Sequence, residues 1–215
     1  MAHTPPLARR LRLGIIGDGA GAIDADQLGA ASAFRAVDGD VTRQLPAFGA
    51  GAASAAALAQ LLGTHDHLLL FDAQIPGADA QRPEVLAEAL SWLLNQGVDL
   101  VAFCHGCDTP DHALNAALDR SHRFGVTLIA GVTAPWPSTH PAVIGVAAQV
   151  DADAGLQWLG GDACSVLHGG TGDPAVAVGD VANVLLSGIA TGLVRHDLLT
   201  HLQQHCGSTA QRRAG

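Results

Sequence analysis

Short apolar runs alternate with longer segments of helical periodicity along most of the chain. The apolar runs are rich in Val, Leu and Ile, as in strands that are buried on both faces of a parallel sheet. The predicted strands are 11–16, 67–73, 98–106, 126–131 and 140–148. The predicted helices are 49–62, 83–96, 108–125, 179–195 and 196–205, while 22–47 is polar and expected to be irregular. Strands that alternate with helices predict an α/β fold, a three-layer sandwich around a mostly parallel, doubly wound sheet.

The helix predicted over 83–96 has clear signals at both ends. Pro83 lies in its first turn and Gly97 comes just after its last residue, which is the usual order of these two residues at helix ends. Its apolar residues fall on one stripe and are Leu86, Ala89, Leu90, Leu93 and Leu94. We therefore expect this helix to pack on the sheet along that stripe.

The length and composition fit one domain. The chain has 215 residues, of which 48% are hydrophobic, and this is enough for one well-filled core. We expect an N-terminal arm over 1–10, a single domain over 11–205, and a polar tail over 206–215 that is disordered.

Charge and hydropathy argue against several partners. The net charge is −9, whereas a nucleic-acid partner requires a basic surface. The longest apolar stretch, 178–194, is interrupted by polar residues and is shorter than the roughly 20 residues that cross a bilayer. The N-terminus lacks the apolar region of a signal peptide, and the four Cys residues are scattered. We expect no nucleic acid, no membrane and reduced thiols in the cytoplasm.

The segment 97–148 resembles a known family. Its text contains GVDLVAFCHG, ALNAALDRSHRFGVTLIAGV and HPAVIGVAA, and it is similar to the central part of subtilisin-like serine proteases, the subtilases. The resemblance extends over about 11–204 and implies a trimmed subtilisin-like sandwich. It also implies that 101–107 is a strand end that pairs with substrate and that 131–137 forms the opposite wall of a cleft.

The family's Asp and His positions carry residues without acid or base chemistry. The Asp ends the first strand of a subtilase, and here Gly17 stands at that position. Asp18 is its neighbour, but adjacent residues on a strand point to opposite faces. The position of the family's His, at the start of a helix, aligns with Phe48, which cannot accept a proton.

The oxyanion and nucleophile positions also differ from those of the family. Val132 stands where subtilases have the oxyanion-hole Asn, and its side chain has no hydrogen-bond donor. Asp180 aligns with the nucleophilic Ser and, at the predicted start of a helix, is more simply a cap. Because the triad acts as a unit, these departures predict that the chain is not an active serine protease.

A cleft that has lost its triad can still hold a peptide as an added strand. The first interpretation is therefore a pseudoenzyme that binds a peptide or protein partner, by analogy in bacterial peptide maturation. It needs no cofactor and is compatible with a homo- or hetero-oligomer. The expected peptide-binding residues are Phe48, Phe103, Cys104, His105, Gly106, Val132 and Trp136.

Two other interpretations stay open at this point. One is an enzyme with relocated thiol or metal chemistry, in which Cys104, His105 and Cys107 act with Asp18 or His168. The weak metal candidates are Cys104, Cys107, Cys164 and His168, but a single C-x-x-C is a poor ligand pattern and no metal is expected. The other interpretation is a structural subunit of a larger enzyme complex, whose relic cleft another protein fills.

Overall fold

The computed structural model describes residues 10–19, 23, 26–46, 65, 67–150, 152, 155–160 and 165–208. The strands are β1 Leu11–Gly17, β2 Leu28–Val37, β3 Asp40–Gln44, β4 Leu68–Gln74, β5 Leu100–Phe103, β6 Thr127–Gly131, β7 Val143–Gln149, β8 Gly155–Trp158, β9 Val166–Gly169 and β10 Gly207–Ser208. The helices are α1 Pro83–Asn95, α2 His112–Arg123, α3 Pro174–Ala190 and α4 Arg195–His205. Among these described helices, none has the length and apolar character needed to cross a membrane.

The described strands form one sheet in the order β10-β8-β9-β7-β6-β5-β1-β4-β2-β3. The seven strands between β9 and β2 in this order, counting both, pair in parallel. The strand β3 pairs with β2, and β8 pairs with β9, in antiparallel fashion. The strands β4 and β5 lie on the two sides of β1, so the sheet is built outward from β1 in both directions. The predicted mostly parallel, doubly wound α/β fold is therefore confirmed.

Helices cover both faces of the sheet and complete the three layers. The core under α1 and α2 contains Ile16 and Phe103, whereas the core under α3 and α4 contains Ile15 and Ala102. Neighbouring residues of one strand thus enter opposite cores, as the pleat of a strand requires. This explains why the central strands are apolar at successive positions rather than at alternate ones.

The helix α1 matches its prediction closely. It spans Pro83–Asn95 with Pro at its start, and the predicted stripe from Leu86 to Leu94 is buried. Gly97 follows with a φ of 69°, a left-handed conformation that favours glycine. The next helix, α2, begins after Asp111, whose carboxylate accepts a hydrogen bond from the Leu114 N–H at 2.7 Å. Local signals at the helix ends were sufficient for α1, whereas α2 begins four residues later than predicted.

The prediction that 22–47 is irregular is wrong. Most of it forms the hairpin of β2 and β3, which turns at Asp38 and Gly39 with φ values of 52° and 93°. Both residues are left-handed, as a tight hairpin turn requires. The hairpin escaped prediction because β2 is rich in Ala and β3 is largely exposed, so neither has the apolar pattern of a buried strand. The short strands β8 and β9 were missed too.

Three other boundaries differ from the predictions. The helix α3 begins at Pro174 rather than near Gly179, because Asp173 caps it by accepting from the Ala175 N–H. The strand β5 ends at Phe103, so the run from Cys104 to Cys107 follows the strand instead of belonging to it. In the expected tail, Cys206 is buried and Gly207–Ser208 pair with β8. The predicted helix over 49–62 and residues 209–215 lie outside the described part.

Candidate functional site

The carboxyl ends of four adjacent strands place Gln74, Gly17, Cys104 and Gly131 in one row. Gly17 lies level with Gln74, Cys104 donates its N–H to the Ile16 carbonyl, and Phe103 lies level with Ala130. The row belongs to the face under α3, since a side chain at Gly131 would meet Pro174 at 3.3 Å. Ligands of α/β proteins bind at this edge of the sheet.

The row has no acid at the position of the family's Asp. Gly17 ends β1 as a buried glycine, and Asp18 is the next residue, on the other face of the strand. A buried carboxylate near this row belongs to Asp72 on β4. It accepts a hydrogen bond from the Gln74 side chain at 2.8 Å. Asp72 and Gln74 are a buried polar pair that the sequence analysis did not identify.

His105 lies on the α1–α2 side of this edge and is largely withdrawn from water. Burial lowers the pKa of His105, while the nearby Asp18 carboxylate and ring hydrogen bonds to the backbone of Ile75 and Cys104 act in the opposite direction. Its Nε2 atom is buried and has no hydrogen-bond partner among the described residues. The lowered pKa favours the neutral form of the imidazole at physiological pH.

The two thiols of the C-x-x-C run lie on opposite sides of the sheet. Cys104 packs against the α3–α4 core, whereas Cys107 belongs to the α1–α2 core and is 1% exposed. Burial, followed by the carboxylates of Asp111, Asp108 and Glu84, raises the pKa of Cys107 to about 11. A thiol that stays protonated is neither a good nucleophile nor a metal ligand.

The version of the relocated site that uses His168 is not assembled in the described part of the chain, whereas Asp18 does lie near His105. His168 lies on β9, three strands from the end of β5, which is roughly 14 Å from Cys104 at the usual strand spacing. Cys164 lies outside the described residues. Within those residues, no three His, Cys, Asp or Glu side chains converge in a way that could hold a metal ion.

Val132 supplies no donor at the oxyanion position. It follows β6 with 41% of its surface exposed, and its backbone N–H already donates to the Val146 carbonyl at 2.8 Å. Phe48, at the position of the family's His, lies outside the described residues. Phe103, which was expected to contact a peptide, is fully buried in the α1–α2 core and cannot do so.

A cleft of about 200 Å³ separates the residues after β5 from the loop after β6. Cys104, His105 and Gly106 form one wall, and Thr133 and Ala134 form the other. The cleft ends at a bridge in which the N–H of Cys107 donates to the Trp136 carbonyl at 2.8 Å and the N–H of Trp136 donates back at 3.0 Å.

The walls of this cleft are built from backbone. A side chain at Gly106 would collide with the Trp136 carbonyl, so glycine is required where the two walls approach each other. Within the described part of the chain, the backbone N–H and C=O groups of His105, Gly106 and Thr133 make no hydrogen bond to other backbone groups. The cleft therefore offers donors and acceptors of the kind that an added strand uses.

Asp180 is not the helix cap that the alignment suggested. It lies well inside α3, and its Oδ2 atom is 2.5 Å from Nε2 of His168, whose Nδ1 is 2.9 Å from the Gly169 carbonyl. The loop before α3 holds Thr171 and Asp173. There the Thr171 hydroxyl accepts from the Asp173 N–H at 3.1 Å, and no serine is present.

Asp180 belongs to a set of polar contacts along α3. The Oδ1 atom of Asn183 lies 2.9 Å from Nε2 of His65, which precedes β4, and can accept a hydrogen bond from it. The Ser187 hydroxyl lies 3.2 Å from Nε2 of His201 on α4. Positions 180, 183 and 187 share one side of the helix. The sequence signal for this set was the regular spacing of three polar residues in an apolar helix.

Comparison with known structures supports the α/β fold described above. No family model matches the chain, and no curated protein matches it. Its α/β architecture is nevertheless that of a known protease structure. The solved structure of the prenylagaramide maturation protease PagA superposes with a TM-score of 0.54 at 17% sequence identity, over 85% of this chain and 78% of that chain. At this identity the similarity shows a shared fold.

Proposed function

We propose that this chain is a non-proteolytic protein that binds an extended peptide, or an extended segment of a protein, at the carboxyl edge of its sheet. The observation that carries the proposal is the cleft between 104–106 and 133–134, along which the backbone groups of His105, Gly106 and Thr133 make no hydrogen bond to other described backbone groups. An extended chain placed there would gain backbone hydrogen bonds on both sides, as in recognition by strand addition.

The residues around the cleft support binding without cleavage. Peptide hydrolysis by a serine or cysteine protease needs a nucleophile, a base and donors for the oxyanion. Gly17 provides no acid, the Val132 N–H is engaged by Val146, and the Cys107 thiol is protonated because burial raises its pKa to about 11. Of the described side chains on the cleft walls, the Cys104 thiol is a nucleophile, and the proposal requires that it leaves a bound chain intact.

The biological setting of the proposal is bacterial peptide maturation. The similar structure carries the name of a maturation protease, and the resemblance of 97–148 to subtilases, which bind peptides, supports a peptide as the ligand. In this setting the present chain would hold a peptide substrate for another protein to process. A structural subunit whose cleft is permanently filled by a partner is the competing arrangement.

A paired substitution at His105 tests the proposal. Heptapeptides selected on the purified protein from a random display library should bind the His105→Ala variant and bind the His105→Pro variant much more weakly. Both variants lose the imidazole, but only proline removes the backbone N–H. Circular dichroism must show both variants folded. Selected peptides that bind both variants equally would place the binding surface elsewhere, and a failure of any peptide to bind would favour the filled cleft.

A further inference from the structure

Two histidines lie one turn apart at the end of α4. His201 and His205 are four residues apart, so both rings lie on the same side of the helix. Their ring centroids are 4.3 Å apart, with an angle of 55° between the ring planes. His205 is exposed and His201 is half-buried, so solvent reaches the pair. Two histidines at this spacing on one helix face can bind the same metal ion.

The neighbouring helix α3 holds the ring of His201 in place. A side chain at Gly188 would meet Cδ2 of His201 at 3.1 Å, so glycine is needed where the two helices approach each other. The Ser187 hydroxyl lies 3.2 Å from Nε2 of His201 and donates to the Val184 carbonyl at 2.7 Å. Because a hydroxyl has one proton, its oxygen accepts a hydrogen bond from the Nε2–H group of His201.

The hydrogen bonds of the two rings assign their tautomers in the neutral form. With its proton on Nε2, His201 keeps a lone pair on Nδ1. Nδ1 of His205 lies 2.8 Å from the His201 carbonyl, which can only accept, so His205 is protonated on Nδ1 and keeps a lone pair on Nε2. Neither of these lone pairs is engaged by a described residue. Metal-ligating histidines have this arrangement, in which one ring nitrogen donates to an oxygen and the other is left for the ion.

We propose that His201 and His205 bind one divalent transition-metal ion, of the series that includes Cu²⁺ and Zn²⁺. The ligand atoms are Nδ1 of His201 and Nε2 of His205, and water completes the coordination. Imidazole nitrogen suits these ions, whereas Mg²⁺ and Ca²⁺ prefer oxygen ligands. Ser187 lies roughly 20 Å along α3 from its start at Pro174, beside the carboxyl edge of the sheet, so this site is separate from the cleft.

The test titrates Cu²⁺ and Zn²⁺, each alone, into the purified full chain and follows binding by calorimetry. Cu²⁺ should bind the wild type more tightly than Zn²⁺. His205→Gln should weaken the binding of both ions at least about tenfold. The matched control is His196→Gln, because His196 is an exposed histidine in the first turn of the same helix, and its loss should leave both affinities unchanged.

Electron paramagnetic resonance of the complex with one equivalent of Cu²⁺ gives an independent measure. The wild type should show coupling to two ligand nitrogens, and His205→Gln should show fewer. Circular dichroism must show both variants folded. Equal affinities in the wild type and His205→Gln, an equal loss in His196→Gln, or nitrogen coupling that persists unchanged in His205→Gln would each overturn the proposal. His105→Pro should leave metal binding unchanged, so this site and the proposed peptide-binding cleft can fail independently.

Discussion

The two helical layers are attached to the same sheet in different ways. The helix α1 packs through an apolar stripe, and its buried residues, from Val85 to Leu94, are hydrophobic. The helix α3 also buries apolar residues, but three of its polar side chains each meet a histidine from another element. Apolar packing supplies most of the stability, whereas hydrogen bonds demand one particular geometry. We infer that α3, which begins beside the cleft, is held in register by its polar contacts.

The largest expected effect comes from the apolar layer. Leu90 is fully buried under α1, and Leu90→Ala should lower the free energy of unfolding by about 2–5 kcal/mol through lost burial and a cavity. Urea unfolding at neutral pH measures the change. Glu88→Ala is the control on the exposed side of the same helix and should change stability by less than about 0.5 kcal/mol. Similar effects of the two variants would contradict the assigned stripe.

The two thiols of the C-x-x-C run should differ in reactivity. Because burial raises the pKa of Cys107 to about 11 from 9.0, its thiolate fraction near pH 8 falls by about a hundredfold relative to an ordinary thiol. Iodoacetamide labelling, mapped by mass spectrometry, should therefore modify Cys104 first and Cys107 only after unfolding. Rapid labelling of Cys107 in the folded protein would contradict its place in the α1–α2 core.

A smaller effect is expected when the polar layer is altered. Asp180→Ala leaves the His168 ring without its carboxylate and should reduce stability by about 1–3 kcal/mol. Asp180→Asn keeps an oxygen acceptor at the same place and should cost less. Ser187→Ala, which removes a neutral contact at 3.2 Å, should cost the least of the three. Equal costs for Asp180→Ala and Asp180→Asn would show that the contact with His168 does not hold α3.

The smallest effect concerns pH. Burial lowers the pKa of His105, whereas in the unfolded chain the imidazole titrates near 6.5. Between these two values the unfolded chain binds more protons, so stability is complete above about pH 6.5 and is lost as the pH falls toward the lowered value. Urea unfolding at about pH 7.5 and about pH 5.5 should show this loss, and His105→Gln should reduce it. An unchanged pH dependence in that variant would mean that the ring is solvated.

The sequence predicted the centre of the fold better than its edges. The strands and helices between Pro83 and Gly131 were all predicted, apart from the ends of β5 and the start of α2, because each carries a strong apolar pattern or helix-end signals. The hairpin of β2 and β3 was missed because the alanine-rich strand β2 and the largely exposed strand β3 have no such pattern. Local propensity carries little information where tertiary contacts decide the conformation.

The site was predicted only in part. The resemblance indicated Cys104, His105, Gly106 and Trp136 as parts of a cleft, and the structure places them at its wall or at its closed end. It could not indicate that Cys104 and Cys107 enter opposite cores, because that depends on where β5 ends. The pairing of Asp180 with His168 was also missed, since it joins α3 to β9, a strand that was not predicted.

The most direct test of the account is to follow binding and cleavage of one peptide in the same sample. A heptapeptide selected on the protein is incubated with the wild-type chain, Thr133→Ala and Thr133→Pro, and is followed by anisotropy and intact mass spectrometry. Thr133 lies on the wall of the cleft opposite His105, and only the proline variant lacks its backbone N–H. We predict reversible binding of an intact peptide to the wild type and Thr133→Ala, with binding lost in Thr133→Pro. Hydrolysis of the peptide by the wild type, or equal binding by all three chains, would contradict a non-proteolytic strand-binding cleft.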